Sequence, residues 1–339
     1  MNEKSPPIKI AIVGYGWWGK TLTTLLDQNP LFKIQAIIDN NAIANTEAKA
    51  AGFSTHIDLD FALKDPQIHA VFLCTPHSEH AYQLLACAFA NKHTFCEKPL
   101  CPTPLEALKA VKLFEQKNLI LGVGHDRRFS APILQLINSI KAGEIGKILQ
   151  VDGVFSHNKF LKLPSNHWRL STTECPVGPL SSGGLHLIDL AISILGPVKS
   201  VWAKLGSATS LLPNGDALSI MLNFYGGQNA VLSNMLVSQF DGRFTVYGTK
   251  GWIEIREKTH KENLGDWVVT KKIEGSEYSE EVVKSASGIE LNLEAFGKAI
   301  LEKSEYPINY SEVLHGIATY EAINDSIKTG AVNSVLRIS

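Results

Sequence analysis

The chain has almost no net charge to offer a polyelectrolyte: 32 Lys and Arg stand against 33 Asp and Glu, a balance of −1 over 339 residues. That excludes the basic excess with which proteins hold a nucleic-acid backbone, and there is no acidic tail. Long apolar runs are missing as well. Segments such as Ala70 to Cys74 have the length of a buried strand and fall far short of a membrane span. The opening stretch, Met1 to Pro7, is short and polar and leads straight into a strand, so no signal peptide is expected. Cysteine is sparse and odd in number. Cys74, Cys87, Cys96, Cys101 and Cys175 are scattered through apolar segments, which reads as reduced, mostly buried thiols in a cytoplasmic protein. His77-x-x-His80 and the Cys96/Cys101 pair lack the further ligands of a structural zinc site, so no metal is expected. No G-x-S-x-G elbow, internal repeat or low-complexity tract is present. What remains is an ordinary composition, 45% hydrophobic and 19% charged, with length for two domains or one large one.

The informative residues come first in the chain. An apolar run, Ile8 to Val13, leads into Gly14-Tyr15-Gly16-Trp17-Trp18-Gly19, and an amphipathic helical stretch follows to about Gln28. G-x-G-x-x-G between a strand and a helix is a dinucleotide-binding turn. Gly14 allows the sharp turn, Gly16 lets a pyrophosphate approach the main chain, and Gly19 lets helix and strand pack closely. The free N–H groups and positive dipole end of the helix then face the phosphates. A second strand, 32–38, ends at Asp39, whose carboxylate can accept the ribose hydroxyls of an adenosine. The same carboxylate repels a 2′-phosphate, and Asn40 and Asn41 bring no positive charge, so NAD is favoured over NADP. The blander role for Asp39 is to cap the helix beginning near Ala42.

From residue 8 to about 124 strands and helices alternate, as a doubly wound parallel sheet requires. Strands are expected at 8–13, 32–38, 70–74, 94–96 and 120–123. After Gly146 strand-like segments follow one another, at 147–155, 198–208, 217–224, 228–237, 244–248, 251–256 and 267–273. That rhythm predicts an α+β second domain, 125–339, built on a large, mostly antiparallel open sheet, after a Rossmann domain at 1–124. One helix near 184–195 interrupts the strands, and two more close the chain. Residues 158–182 form a long loop rich in Pro, Ser, Thr and Gly, and such loops tend to be functional or mobile. Lys271-Lys272 and Glu280-Glu281 read as solvated.

Ligands of doubly wound sheets bind beyond the carboxyl ends of the strands. Three polar segments fall there: Thr75-Pro76-His77-Ser78-Glu79-His80, Glu97-Lys98-Pro99, and His125-Asp126-Arg127-Arg128. With the glycine turn, Trp168-Arg169 and Gly184-x-His186-x-x-Asp189, their order and spacing resemble the glucose–fructose oxidoreductase/inositol dehydrogenase/rhizopine-catabolism (Gfo/Idh/MocA) family. The resemblance covers essentially the whole chain, and Glu97-Lys98-Pro99 is its most diagnostic piece. It implies an NAD(P)-dependent oxidoreductase acting on a secondary alcohol or ketone of a sugar, cyclitol or related polyol.

Carried over residue by residue, the resemblance puts Lys98 beside the substrate hydroxyl and the nicotinamide, where an ammonium stabilises a developing alkoxide. The Lys98–Pro99 bond is expected to be cis. His186 is the second catalytic candidate, since a neutral imidazole with a reference pKa of ~6.5 can take the hydroxyl proton. The alternatives are a solvated lysine after a strand and a packed histidine at a helix start. Cofactor contacts are expected from Gly14, Tyr15, Gly16, Trp17, Trp18, Gly19, Asp39, Thr75, Pro76, His80, Glu97, Lys98 and Arg169. Substrate contacts are expected from Lys98, Arg127, His157, Asn166, Trp168, Ser182, His186 and Asp189. Arg127 and Arg128 could bind an anion or pair with Asp126, and the loop residues could belong to a polar surface.

One departure stands out. The family pattern has an aspartate four residues before the histidine, and this chain has Ser182. Either His186 with Lys98 suffices, or Asp126 or another carboxylate substitutes in space, or redox activity is weak or absent. Two other activities therefore stay open beside the dehydrogenase: a redox-neutral, NAD-dependent glycoside-modifying enzyme, and a non-catalytic NAD(P)-binding sensor. Apolar strands in an open sheet also predict a homodimer or homotetramer through the C-terminal sheet.

Overall fold

Strand β1 (Ile8–Val13) is the centre of a six-stranded parallel sheet. The computed structural model describes residues 6–260, 265–284 and 286–338. The opening stretch on which the signal-peptide expectation rests, Met1 to Pro7, therefore lies largely outside the described residues. The other strands are β2 (Phe32–Ile38), β3 (Thr55–His56), β4 (Ala70–Leu73), β5 (His93–Cys96) and β6 (Leu121–Val123), in the order β3-β2-β1-β4-β5-β6. Strand order reverses between β1 and β4, which is where such a sheet opens a crevice for a ligand. β4 is buried along its whole length, as an apolar strand covered on both faces must be.

Local signals set the helices. Helix α1 (Trp17–Gln28) buries Gly19, Leu22, Thr23 and Leu26, one face at helical spacing. Helix α2 (Ala42–Ala50) is capped by the side chain of Asn41, which accepts the backbone N–H of Ile43 at 2.8 Å. Helix α3 (Asp60–Lys64) is a single short turn, and α4 (His77–Phe89) starts directly after Pro76. Helix α5 (Pro104–Gln116) begins with a full capping box between Thr103 and Glu106 and a proline in its first turn.

This unit extends to Gly124 and takes in Asn292–Tyr310 as well. The expected second domain ran unbroken from 125 to 339, so the boundary is corrected here. The reason is packing. Phe296 sets its ring edge-on to Phe72 at 5.5 Å and lies 5.6 Å from Phe95, both in the core of the parallel sheet. Asn292 and Tyr306 donate to the main-chain oxygen of Val123 at 2.9 and 3.1 Å, and the Tyr310 hydroxyl accepts the N–H of Leu121 at 3.0 Å.

The other unit comprises His125–Leu291 and Ser311–Ser339. Helix α6 (Ala131–Lys141) is followed by β7 (Ile148–Ser156) and later by α7 (Leu185–Leu195). Seven further strands precede the last two helices: β8 (Val198–Gly206), β9 (Ala217–Phe224), β10 (Asn229–Met235), β11 (Asp241–Gly248), β12 (Gly251–Glu257), β13 (Asp266–Ile273) and β14 (Ser279–Lys284). Helices α8 (Gly288–Glu302) and α9 (Tyr310–Thr329) and the short β15 (Asn333–Ser334) complete the chain. The nine-stranded sheet has the order β14-β13-β12-β11-β7-β10-β9-β8-β15 and is antiparallel except where β10 runs parallel to β7. Glu280 and Glu281 are exposed as expected, but they stand in a strand paired with β13.

One face of this sheet is buried against α7, a helix whose residues from Leu185 to Ile192 are all buried. A helix apolar on every side needs cover on every side. Gly153 makes the approach possible, because a Cβ there would press on Leu232, Leu187 and Phe244. The opposite face alternates outward, giving β9 and β10 their regular buried–exposed rhythm.

Candidate active site

In the first unit the glycine turn is built by close approach. Gly14 adopts φ +91°, and a Cβ there would lie 2.8 Å from the carbonyl of Cys74, so the ends of β1 and β4 meet only because this residue is glycine. A Cβ on Gly19 would overlap the Gly14 carbonyl, whereas one on Gly16 would meet nothing within 4 Å. Gly16 therefore faces open space at the N-terminus of α1, the arrangement that admits a pyrophosphate.

Asp39 closes the turn from the side. Its carboxylate accepts the backbone N–H of Tyr15 at 2.6 Å and that of Asn41 at 2.8 Å. Asn41, not Asp39, caps α2, so the capping alternative for Asp39 is set aside. The two indoles, Trp17 and Trp18, meet edge-on at 5.9 Å in the first turn of α1, with Trp17 exposed.

The β4 and β5 ends are tied together by His80. It is fully buried, with Nδ1 2.8 Å from the Pro99 carbonyl and Nε2 3.1 Å from the Thr75 carbonyl. His80, expected as a cofactor contact, is placed between the main-chain carbonyls of two turns. Thr75 donates its hydroxyl to Gln83 at 2.6 Å. The Lys98–Pro99 bond is cis. Glu97 accepts the N–H of Lys98 at 3.3 Å and fills the space beside Gly124, where a Cβ would collide with its carboxylate. Both Glu97 and Lys98 are half-buried.

In the second unit a group of candidate side chains gathers at one end of the nine-stranded sheet. β7 and β10 run parallel, and β12, two antiparallel steps from β7, points the same way. His157 follows β7, Asn234 is near the end of β10, and Glu257 ends β12 with His260 just beyond. A short π-helical turn, Leu180–Gly184, crosses this end and delivers His186 as the second residue of α7. Such turns are recurrent at functional sites.

His186 is almost fully buried, and its Nδ1 lies 3.4 Å from Oδ1 of Asp126. A carboxylate on that side favours the imidazole proton on Nδ1 and leaves Nε2 as the basic nitrogen. Asp126 is a carboxylate close enough to His186 to substitute in space for the missing aspartate. His157 Nε2 lies 2.9 Å from the Ser182 hydroxyl, and its ring packs against Phe155, Phe160 and His260 at 5.5–5.9 Å. Lys159 Nζ reaches His260 Nδ1 at 2.9 Å.

Two of the expected substrate contacts are engaged by other side chains of the protein. Asp189 is buried and holds Arg128 through both carboxylate oxygens, at 2.6 and 2.7 Å, while Arg128 also pairs with Glu312. Burial opposes the Arg128 charge, but Asp189 and then Glu312 hold its pKa above the ordinary value. Arg127 is buried too, paired with Glu257 at 2.5 Å and stacked over the Phe155 ring at 4.4 Å. Asp189 and Arg127 thus fix the turn 126–129 that carries Asp126, through Arg128 and Glu257. Glu257 and His260 were missed in the sequence, since no local motif marks a residue whose partner is as distant in the chain as Arg127 or Lys159.

The long loop supplies the rest. Arg169 lies over the Trp168 ring at 4.1 Å, and Asn214 donates to the Arg169 carbonyl at 2.7 Å. Burial, then Arg169, pushes the pKa of His167 down. Asn166 is exposed.

The family models now decide the kinship. Residues 8–125 match the oxidoreductase family with an NAD-binding Rossmann fold, and residues 133–254 match the GFO/IDH/MocA C-terminal domain. The chain belongs to the Gfo/Idh/MocA oxidoreductases. An uncharacterized oxidoreductase of Schizosaccharomyces pombe is 31% identical over 72% of this chain and 69% of its own. The scyllo-inositol 2-dehydrogenase (NADP(+)) IolW of Bacillus subtilis is 26% identical over 96% of both chains. In fold, levoglucosan dehydrogenase in its complex with NADH superposes with a TM-score of 0.85 at 22% identity, over 98% of this chain and 100% of that one. This Gfo/Idh/MocA chain is thus an oxidoreductase with a nicotinamide-dinucleotide half-site, and Gly14, Gly16, Gly19 and Asp39 form a cradle that fits the cofactor. Among the described residues no helix is long and apolar enough to cross a membrane.

Proposed function

We propose that this Gfo/Idh/MocA oxidoreductase interconverts a secondary alcohol of a sugar, cyclitol or related polyol with its ketone, using NAD in preference to NADP. Asp39 supports the cofactor preference. A carboxylate already bound to the turn through Tyr15 N–H suits the vicinal hydroxyls of an adenosine ribose and repels a phosphate there. When bound, the nicotinamide takes or gives the hydride.

The chain's own residues handle charge and protons. Nε2 of His186 takes the hydroxyl proton, with Asp126 holding Nδ1 and stabilising the imidazolium that results. The Lys98 ammonium stabilises the negative charge that develops on the substrate oxygen. Arg169 and the indole of Trp168 are assigned to binding, with the indole offering an apolar face to a sugar ring. The observation that carries the reading is the buried His186–Asp126 pair on a chain that keeps Glu97-Lys98-Pro99.

The test is reduced-nicotinamide absorbance with NAD or NADP across sugars, sugar acids and cyclitols, alongside Lys98→Met. The expected result is turnover on one polyol class that falls by about 100-fold or more in the variant, with NAD binding retained. NAD binding without any turnover would favour the sensor reading instead.

The outer face of the large sheet is assigned to a second copy. Trp202, Met221 and Val231 stand in register on β8, β9 and β10 and are 38%, 46% and 39% exposed, an apolar row that isolated monomers rarely leave open. A homodimer or homotetramer through this face follows. A cytoplasmic location agrees with the buried thiols of Cys87, Cys96 and Cys101, whose pKa values burial pushes up, for Cys87 to about 12.

A further inference from the structure

Helix α2 turns a polar residue inward and an apolar one outward. Ile43 is 71% exposed and Asn45 only 8%, and Asn45 shares the buried face with Ala48 alone. Burying an amide where an aliphatic side chain could pack costs free energy unless the amide is put to use. The fold satisfies only half of this one. Asn45 Nδ2 donates to the main-chain oxygen of Asp39 at 2.6 Å, while its buried Oδ1 meets no protein donor.

What the buried amide secures is Asp39. The Asp39 N–H donates to the His56 carbonyl at 3.0 Å, and its own carbonyl accepts from Asn45, so the peptide planes on both sides of its Cα are fixed. With those planes set, the chain turns back and brings the N–H of Asn41 to Oδ1 at 2.8 Å. The N–H of Tyr15, inside the glycine turn, reaches Oδ2 at 2.6 Å. A carboxylate oxygen has two lone pairs, so one N–H on each oxygen leaves one lone pair on each. Two neighbouring hydroxyls need that pattern, and a 2′-phosphate brings to it only acceptors and negative charge.

We propose that Asn45 is a positioning residue for the dinucleotide. By holding the Asp39 carbonyl it aims the carboxylate, and so sets how strongly the enzyme reads the adenosine 2′-hydroxyl. Without that donor the peptide after Asp39 can rotate, and binding must then order the carboxylate as well. The proposal rests on the reading of Asp39 as the ribose acceptor, and it adds the residue of α2 on which that selection depends.

Calorimetric titration of the purified protein tests this without turnover. The probes are NAD+, NADP+ and the NAD+ analogue that lacks the adenosine 2′-hydroxyl. Removing that hydroxyl should cost the parent roughly 10-fold or more in affinity, as loss of a hydrogen bond to a charged group does. In Asn45→Leu and Asn45→Ala the same deletion should cost less than about 3-fold, because the two changes are coupled through Asp39. The preference for NAD+ over NADP+ should narrow by about 5-fold or more in both variants. Leucine keeps the volume and loses the donor, whereas alanine loses the donor without adding a branch, so a leucine variant that fails to fold leaves the alanine variant to decide.

Thermal unfolding alone does not decide, since loss of any buried hydrogen bond lowers it. If Asn45 serves only to stabilise α2, its replacement will weaken all three ligands by one common factor and leave both ratios at the parent's values. That result would overturn the proposal. A parent indifferent to the 2′-hydroxyl, or one that prefers NADP+, would show instead that the reading of Asp39 has failed, and the proposal would fall with it.

Discussion

His186 and Asp126 are 60 residues apart in the chain, and their side chains stand 3.4 Å apart at the foot of α7. The distance exceeds that of a strong hydrogen bond, so Asp126 acts chiefly through its field and through the tautomer it favours. Replacing the base removes the proton acceptor, whereas replacing the carboxylate only reorients and weakens it. His186→Asn is expected to lower kcat by about 10²- to 10⁴-fold. Asp126→Asn should cost less, since the amide can still orient Nδ1 but lacks the charge that stabilises the imidazolium. Steady-state kinetics would separate the two, and an unchanged kcat in Asp126→Asn would remove Asp126 from the account. His186 and Lys98 stand out in the sequence as candidates because each sits in a local motif. The roles of His80, Asp189 and Arg127 were not legible there, because a motif shows that a residue is near the site and not which way its side chain is used. His80 turned to two main-chain carbonyls, and Arg127 and Asp189 found partners at Glu257 and Arg128.

The π-helical turn Leu180–Gly184 is the element that distinguishes this half-site, because it places Ser182 against His157 and hands the chain to α7. Its fit depends on Gly183 having no side chain. Gly183→Ala would drive a methyl into Phe155 and Asn234, both buried, with no flexible end to yield. The expected outcome is a loss of about 1–3 kcal/mol in urea unfolding, together with lower activity. A variant as stable and as active as the parent would show that the turn is not held as described. Sequence reading placed a helix near 184–195 and a long loop before it, and the turn between them was invisible. Its hydrogen-bond pattern is set by what the sheet end leaves room for. Strand β14 was missed for a related reason. Its residues, SEEVVK, are polar at an edge, and only pairing with β13 makes them a strand.

The proposed function draws on both units: the glycine turn lies on the parallel sheet, and the candidate acid–base residues His186 and Asp126 belong to the unit with the open sheet. The parallel unit was legible from alternation and from the glycine turn, and the open sheet from its run of strands. The return of Asn292–Tyr310 to the parallel unit was not, because it depends on where Phe296, Tyr306 and Tyr310 find partners, and no local pattern encodes that. The apolar row Trp202–Met221–Val231 makes a prediction about the whole assembly. Light scattering should report two or four chains, and Met221→Asp with Val231→Asp should shift the protein toward one. A monomer in the unmutated protein would contradict the assignment of that face. The central claim concerns hydride transfer, and one isotopic measurement tests it most directly. The polyol that turns over is prepared with deuterium on the carbon to be oxidised, and the reduced nicotinamide is examined by mass spectrometry and NMR. The account predicts one deuterium per cofactor, on one face of the ring, with one ketone formed for each NADH. Product formed with no net NADH, or deuterium lost to water, would contradict it and point to a redox-neutral reaction.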